Sequence, residues 1–249
     1  MKPTGYILHE GPSLIDGAPL VVIAITSSTN AKTGDMVQTY ILRADVDPIN
    51  ASRIGADVST CGQCSKRWHL GGDCYVNLGH GPRAMFDGYR RGIYPRASIA
   101  QMCTIGAGRM VRLGTYGDPA AVPAIVWRAL TRDARGHTGY THQWLSDALS
   151  ETQRAGIMAL CMASADNETD AEMAHALGFR TFRVRSADEP IAPREFTCSA
   201  SAEAGKRLTC AQCGACDGIG RKPSAASVVI IAHGARAPRR MIPIAQVQA

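Results

Sequence analysis

Nine cysteines occur in this chain of 249 residues, and seven of them fall into two spaced groups. Near the carboxyl end, Cys210, Cys213 and Cys216 follow C-x2-C-x2-C spacing, and Cys198 precedes them. Four thiolates that turn toward one point can complete the ligand shell of a tetrahedral zinc ion or of a [4Fe-4S] cluster. The double two-residue spacing favours iron–sulfur, because zinc sites more often pair two separate C-x2-C units. Unrelated thiols or a disulfide knot are the simpler alternative.

The second group lies in a glycine-rich loop at residues 59–81. It comprises Cys61, Cys64 and Cys74 at C-x2-C-x9-C spacing. Three thiolates can hold a [4Fe-4S] cluster with one iron left open for a substrate or cofactor. Alternatively, His69 or His80 of the same loop supplies a fourth ligand and completes a structural zinc site. A single centre that shares ligands from both groups, or a loop without metal, also fits the spacing.

Apolar, β-branched runs at residues 19–26 and 35–44 flank turn-forming residues and predict a β-hairpin. Pro48 is expected to begin a short helix that ends at Ile54, before Gly55. From residue 109 strands and helices alternate. Strands are predicted at 109–114, 137–142, 156–164, 181–186 and 227–233, and helices at 119–134, 144–154 and 168–177. With the early strand 36–43, about six strands are expected to run parallel.

This order predicts an α/β fold: a partial (β/α) barrel of the TIM type with an N-terminal β-hairpin and a Cys-rich, metal-binding C-terminal module. An open, doubly wound sheet would give the same pattern. The proline-containing segment 187–194 is the best boundary candidate. We therefore expect residues 1–186 to form the barrel-like core with its cysteine loop. Residues 187–249 would form the metal module and contribute the last core strand, 227–233.

Polar residues follow each predicted parallel strand, where α/β enzymes place their catalytic groups. Asp118, His142 and Asp166 are the candidate acid–base residues, although simple helix capping would explain either aspartate. His233 ends the last predicted strand on the same edge. The candidate cofactor-binding residues are Gly114, Tyr116, Gly117, Ser164 and Arg185. The glycines of GTYGDP permit close approach of a ligand to the backbone, and Arg185 can contact phosphate.

The formal net charge of +6 comes mainly from arginine, which suits a nucleotide or nucleic-acid partner. A GC-rich genome would explain the arginine content equally well. No apolar run approaches eighteen residues, and no signal peptide is evident, so we expect a cytoplasmic protein without a membrane span. Cysteines in that compartment favour metal or redox chemistry over disulfides. The remaining two, Cys103 and Cys161, are expected to be core thiols.

Several stretches together resemble an uncharacterised family of bacteriophage and prophage proteins. They include TGYILHEGPSLIDGAPLVVIAI, TGDMVQTYILRADV, CGQC…GDCYVNLGHGP, RLGTYGDPAAVP, TGYTHQW and the TC-x2-C-x2-C-x-G ending before VVIIAHG. The resemblance spans most of the chain. It implies a phage origin and a place in the host cytoplasm, and it assigns no reaction.

Two enzyme families share narrower features. The three-cysteine loop after an early strand, and GTYGDP, resemble radical S-adenosylmethionine enzymes, whose usual loop is C-x3-C-x2-C. That resemblance implies a partial barrel, one or two [4Fe-4S] clusters and S-adenosylmethionine. Cys210, Cys213, Cys216 and His233 resemble the zinc site of tRNA-guanine transglycosylase-like enzymes, some of which act on phage DNA. In that case Asp118 and Asp166 would be the acid–base and nucleophile candidates.

These observations predict a phage-encoded iron–sulfur enzyme that modifies a nucleotide or a nucleic-acid base. The first alternative is a zinc-containing base-exchange enzyme of the transglycosylase type. The second is a metal-stabilised nucleic-acid-binding protein without catalysis. The clustering of histidine and two aspartates at strand ends favours an enzyme over a pure binding module.

Overall fold

The computed structural model describes residues 3–220 and 225–232. Within these residues, nine strands form one mixed sheet. They are β1 (Gly5–Pro12), β2 (Pro19–Ile25), β3 (Val37–Arg43), β4 (Met110–Tyr116), β5 (Gly136–Thr141), β6 (Met162–Ala165), β7 (Thr181–Arg185), β8 (Glu195–Thr197) and β9 (Ser227–Ile231). The helices are α1 (Pro48–Ile54), α2 (Val58–Cys61), α3 (Gly81–Arg90), α4 (Ile99–Gly106), α5 (Ala124–Thr131), α6 (Glu151–Met158), α7 (Glu168–Ala176) and α8 (Cys210–Cys213).

The strands lie in the order β1-β2-β3-β4-β5-β6-β7-β9-β8. The first three are antiparallel, and every pairing from β3 onward is parallel. The predicted α/β class and the β2–β3 hairpin are therefore confirmed. Strand order follows chain order except that β9 lies between β7 and β8. β8 and β9 both lie beyond the domain boundary expected at 187–194, yet they belong to the same sheet as the core.

Alternation along the strands gives the sheet two different faces. On one face, Val22 and Leu113 join a cluster with Trp127 and Leu130 of α5, all fully or nearly fully buried. On the other face, the strand residues Gln38, Arg112 and Tyr140 are not covered in this way and border a cavity. Because successive side chains of a strand point to opposite faces, alternate residues such as Gln38 and Tyr40 of β3 or Phe182 and Val184 of β7 line that cavity.

Local capping signals account for the helices that the sequence predicted well. The side chain of Asp47 accepts hydrogen bonds at the start of α1, and Gly55 ends the helix at a positive φ of 81°. Asn167 likewise caps α7, with Gly178 beyond its end at φ 90°. These are the residue types that helix ends favour, because they satisfy unpaired backbone groups without strain.

Three predictions on the middle of the chain are wrong. Residues 156–164 do not form one strand, because α6 continues to Met158 and β6 begins only at Met162. The helix expected over 144–154 is replaced by a short 3-10 helix, Gln143–Leu145, followed by α6. A serine cap at Ser150, which accepts a hydrogen bond from the Gln153 amide, fixes the true start of α6. Pro123 similarly delays α5, so that Pro119–Ala121 forms a separate 3-10 helix.

Strand β1 was not predicted, and it extends the hairpin to a three-stranded antiparallel unit. The last predicted strand is confirmed over Ser227–Ile231, whereas His233 lies outside the described residues.

No helix in the described part of the chain is long and apolar enough to cross a membrane.

Candidate functional site

A cavity of about 450 Å³ lies on the face of the parallel strands that α4–α6 do not cover. Its volume falls within the range usual for small-molecule sites. Most of the predicted site residues line it: Cys61, Cys64, Cys74, Gly114, Tyr116, Gly117, Asp118, His142, Ser164, Asp166, Cys198 and Cys210. Cys213 and Cys216 line an adjoining small cavity together with Cys198 and Cys210. The two cysteine groups therefore border one continuous region.

Asp118 is buried where β4 ends, and it acts first as a backbone anchor. Its carboxylate accepts hydrogen bonds from the amide of Ala120 at 2.9 Å and from the amide of His142 at 2.7 Å. Burial raises the pKa of Asp118, although these hydrogen bonds partly oppose the shift. The capping role that the sequence allowed for Asp118 is thus present, and the same carboxylate holds the strand end that carries His142.

His142 lies between the first cysteine group and Asp166. Its Nε2 is 3.8 Å from Cys64 Sγ and 3.9 Å from Asp166 Oδ1. Burial alone would lower the pKa of His142, yet the neighbouring Cys64 and Asp166 outweigh burial and raise it. The histidine therefore lies between the Cys64 sulfur and the Asp166 carboxylate, where it can hold a proton.

Asp166 is almost completely buried, with 1% of its surface exposed. One carboxylate oxygen accepts a short hydrogen bond from Ser65, and the other lies 3.4 Å from Lys66 Nζ. Burial would raise the pKa of Asp166, but His142, Lys66 and Ser65 lower it overall. Oδ1 has only the longer contacts with Lys66 and His142, and it makes no well-formed hydrogen bond among the described residues. A bound ligand with an N–H or O–H group would satisfy that oxygen.

The first cysteine loop is held in place by a buried arginine. Arg67 pairs with Asp57 at 2.7 Å and donates to the carbonyls of Gly62 and Gly55 at 3.2 and 2.7 Å. Arginine suits this position because its planar fork can serve several acceptors at once. This clamp fixes the backbone on both sides of Cys61.

Gln143 is a second anchor of the same loop, and its side chain is fully buried. Its amide donates to the carbonyl of Cys61 at 3.0 Å, and its oxygen accepts from the amide of Gln63 at 3.3 Å. Between them, Gly62 has a φ of 55°, and a Cβ there would overlap the Gln143 side chain. The strand end after β5 is thereby joined directly to the Cys61–Cys64 turn.

The second cysteine segment, residues 198–216, is anchored from the sheet. Arg180 pairs with Asp217 at 2.9 Å and donates to the carbonyls of Gly218, Ala215 and Ala226. Thr209 caps α8 through the Gln212 amide. The amide of Cys210 also donates to the carbonyl of Lys32 at 3.1 Å, which ties α8 to the β2–β3 loop.

Burial raises the pKa of thiols in both cysteine groups. Burial, reinforced by the neighbouring Cys64, raises the pKa of Cys74 to about 11. Burial likewise raises the pKa of Cys216 to about 12, and the other three cysteines of its group add to the shift. Such thiols stay protonated at neutral pH unless a cation displaces the protons. A metal centre would therefore stabilise the thiolates of both groups.

In the described part of the chain, no three His, Cys, Asp or Glu side chains converge closely enough to hold a single metal ion. The two cysteine groups therefore remain candidate ligands by their sequence spacing and by their position at the two adjoining cavities.

Two predicted ligands and one predicted cofactor residue lie elsewhere. His69 and His80 are exposed and do not line the cavity, and His69 Nδ1 lies 3.2 Å from the Arg53 carbonyl. Arg185, which was expected to contact phosphate, does not line the cavity: its guanidinium pairs with Glu203 and donates to carbonyls of the following loop. The guanidinium of Arg185 therefore stabilises that loop and does not contact the cavity.

Sequence reasoning missed Arg112, Lys66 and Asp73, which all line the cavity. Arg112 stands in the middle of β4, where a charge is expected to face solvent. Its position between apolar residues, in a strand predicted to be buried, was the sequence signal that could have identified it.

Comparison with known proteins adds no further guide: the chain matches no family model, no curated protein and no solved structure.

Proposed function

We propose that this protein is an iron–sulfur enzyme that modifies a nucleotide or a nucleic-acid base, with the cavity as its active site. One observation carries the proposal. Cys61, Cys64 and Cys74 border the same cavity as His142 and Asp166. Metal ligands that open onto a cavity with buried acid–base groups favour catalysis over a purely structural centre.

The first cysteine group would hold a [4Fe-4S] cluster by three thiolates and leave one iron open for S-adenosylmethionine or for the substrate. When bound, the cluster supplies one-electron chemistry. The second group, Cys198 with Cys210, Cys213 and Cys216, would hold another centre with all four positions filled. The consecutive order of β3 to β7 supports the partial barrel that this class of enzyme would use.

The chain's own residues would bind and orient the substrate. Asp166 offers a buried carboxylate oxygen to an N–H or O–H donor, and His142 holds a proton beside it. Tyr140 and Phe182 form an edge-to-face pair at 4.8 Å on the cavity wall. Aromatic faces of this kind stack well on nucleobases, which supports a base as the group that is modified.

A zinc-containing base-exchange enzyme is the second candidate. Asp118 and Asp166, both buried, line one cavity, as a nucleophile and an acid–base group would require. The zinc would then be held by cysteines of the second segment. His233, the fourth ligand in this alternative, lies outside the described residues.

Metal analysis of protein purified without oxygen separates the two candidates. The iron–sulfur proposal expects brown protein with a broad absorption shoulder, iron and acid-labile sulfide. A Cys103→Ala variant serves as the control, because that thiol is buried and does not line the cavity. It should keep the full iron content. Colourless protein with stoichiometric zinc would reject the iron–sulfur proposal and support base exchange.

A further inference from the structure

Arg112 is a cation on the cavity wall. It lies in the middle of β4, it is only partly exposed, and its guanidinium carbon is 5.3 Å from the centre of the Tyr140 ring. A guanidinium near an aromatic ring is held in orientation by cation–π attraction. Arg112 also makes a hydrogen bond with the Tyr140 side chain, and a guanidinium carries five N–H donors in all.

Arg112 differs from the buried arginines in its lack of a counter-ion. Each of four others pairs with a carboxylate: Arg67, Arg180, Arg183 and Arg185. Over residues 3–220 and 225–232, no carboxylate lies within ion-pair distance of Arg112. Withdrawing a charge from water is unfavourable unless an opposite charge compensates it. The missing partner is therefore expected to be an anion that enters the cavity.

The neighbours of Arg112 suit an oxyanion. Tyr40, Tyr75 and Lys32 line the same cavity, and phenolic and ammonium groups are hydrogen-bond donors. Asp118 and His142 lie beyond the carboxyl ends of the strands, whereas Arg112 lies within one. An anion bound at Arg112 would thus occupy the inner end of the cavity, and the rest of the ligand would extend toward Asp166.

We propose that Arg112 is the anion-binding residue of this cavity and that it receives a phosphate or carboxylate group of the substrate or cosubstrate. The proposal rests on the cavity being the active site. Arg112 thus takes the phosphate-binding role first expected of Arg185, and the proposal fixes the direction of the bound ligand. The oxyanion of the ligand lies at Arg112, and a hydrogen-bond donor of the ligand lies at Asp166.

Calorimetric titration of the protein as purified tests this proposal with four probes: inorganic phosphate, adenosine monophosphate, acetate and methionine. Wild-type protein should bind at least one of them. A preference for the first two identifies a phosphate group, and a preference for the last two identifies a carboxylate. Failure of the wild type to bind any probe would overturn the proposal, and this result depends on no variant.

Two variants and a matched control locate the site. Arg112→Gln should weaken binding roughly 10- to 100-fold, the loss expected when a charged hydrogen-bond donor is removed. Arg112→Lys keeps the charge without the fork and should lie between Arg112→Gln and wild type. Arg128→Gln removes an exposed charge outside the cavity and should bind as wild type does. Equal binding by wild type and both Arg112 variants would overturn the assignment.

Metal content of the same samples separates this inference from the proposed function. Arg112→Gln protein that loses metal but binds the probes normally would assign Arg112 to the second cysteine segment as a counter-ion, and would reject the inference. Brown wild-type protein without anion binding would reject the inference alone. Metal-free wild-type protein that still binds phosphate through Arg112 would reject the iron–sulfur proposal alone.

Discussion

The two cysteine segments are anchored by the same device but from different places. In each, a buried arginine pairs with an aspartate and donates to nearby backbone carbonyls: Arg67 with Asp57, and Arg180 with Asp217. Arg67 and all its partners belong to residues 55–67, next to the loop that they hold. Arg180 precedes β7, and it reaches partners 35 to 46 residues away. The first loop is thus locally constrained, whereas the second segment is part of the sheet.

The surroundings of the thiols also differ between the two segments. Cys198 and Cys216 are buried in an apolar cluster with Met162, Val228 and Ile230. Cys64 instead lies beside His142, at the edge of the cavity that Cys198 also lines. Similar thiols can therefore support the core in one segment and serve a site in the other. This comparison leads to three predictions.

The largest difference is expected between Cys213→Ser and Cys64→Ser. If the second segment binds its metal as part of folding, Cys213→Ser should yield aggregated or protease-sensitive protein, because metal-binding energy is then folding energy. Cys64→Ser should leave folded protein with a lower metal content. Limited proteolysis and metal analysis of both variants provide the measurement. Equal unfolding of the two variants would remove the proposed division between the segments.

Replacement of the anchoring arginines should give an intermediate effect. Removing one partner of a buried ion pair destabilises a protein by about 3–5 kcal/mol. For Arg180→Met the loss should appear in the free energy of global unfolding, measured in denaturant. For Arg67→Met we expect faster hydrogen exchange confined to residues 55–74, with the protection of β5 to β7 unchanged. Faster exchange throughout the sheet in Arg67→Met would contradict local anchoring of the first loop.

The smallest effect is expected for Gln143→Leu. This change leaves the carbonyl of Cys61 and the amide of Gln63 without their partner, a loss of about 1–3 kcal/mol. Metal at the first group should fall while the second group keeps its metal. Gln153→Leu is the matched control, since Gln153 binds backbone groups of Val122 and Ala124. A similar loss of metal in both variants would assign Gln143 a general structural role only.

Local sequence signals predicted the elements that begin and end with strong caps. Pro48 with Gly55 defined α1, and Asn167 with Gly178 defined α7. The grouping of polar residues at one cavity followed from a rule of topology, since parallel strands direct their carboxyl ends to one edge. The catalytic and metal-binding roles of these residues remain predictions.

Other features depend on contacts that the sequence does not encode locally. The apolar run at 156–164 is compatible with a buried helix end or with a strand, and tertiary packing divides it between α6 and β6. Gln143 binds a loop 80 residues earlier in the chain, so its neighbours gave no sign of its partner. Arg185 followed the strand-end rule, but the carbonyls of the next loop and Glu203 use its guanidinium.

The position of β9 has a consequence for how the chain is completed during synthesis. β8 ends at Thr197, well before β9 begins at Ser227, yet β8 joins the sheet through β9. Proteins emerge from the ribosome amino terminus first, so β3 to β7 can assemble while β8 still lacks a neighbour. Cys198 directly follows β8, so it reaches its final position only when β9 inserts between β7 and β8. The second cysteine segment can therefore reach its place beside the sheet only after residues 227–231 have been synthesised.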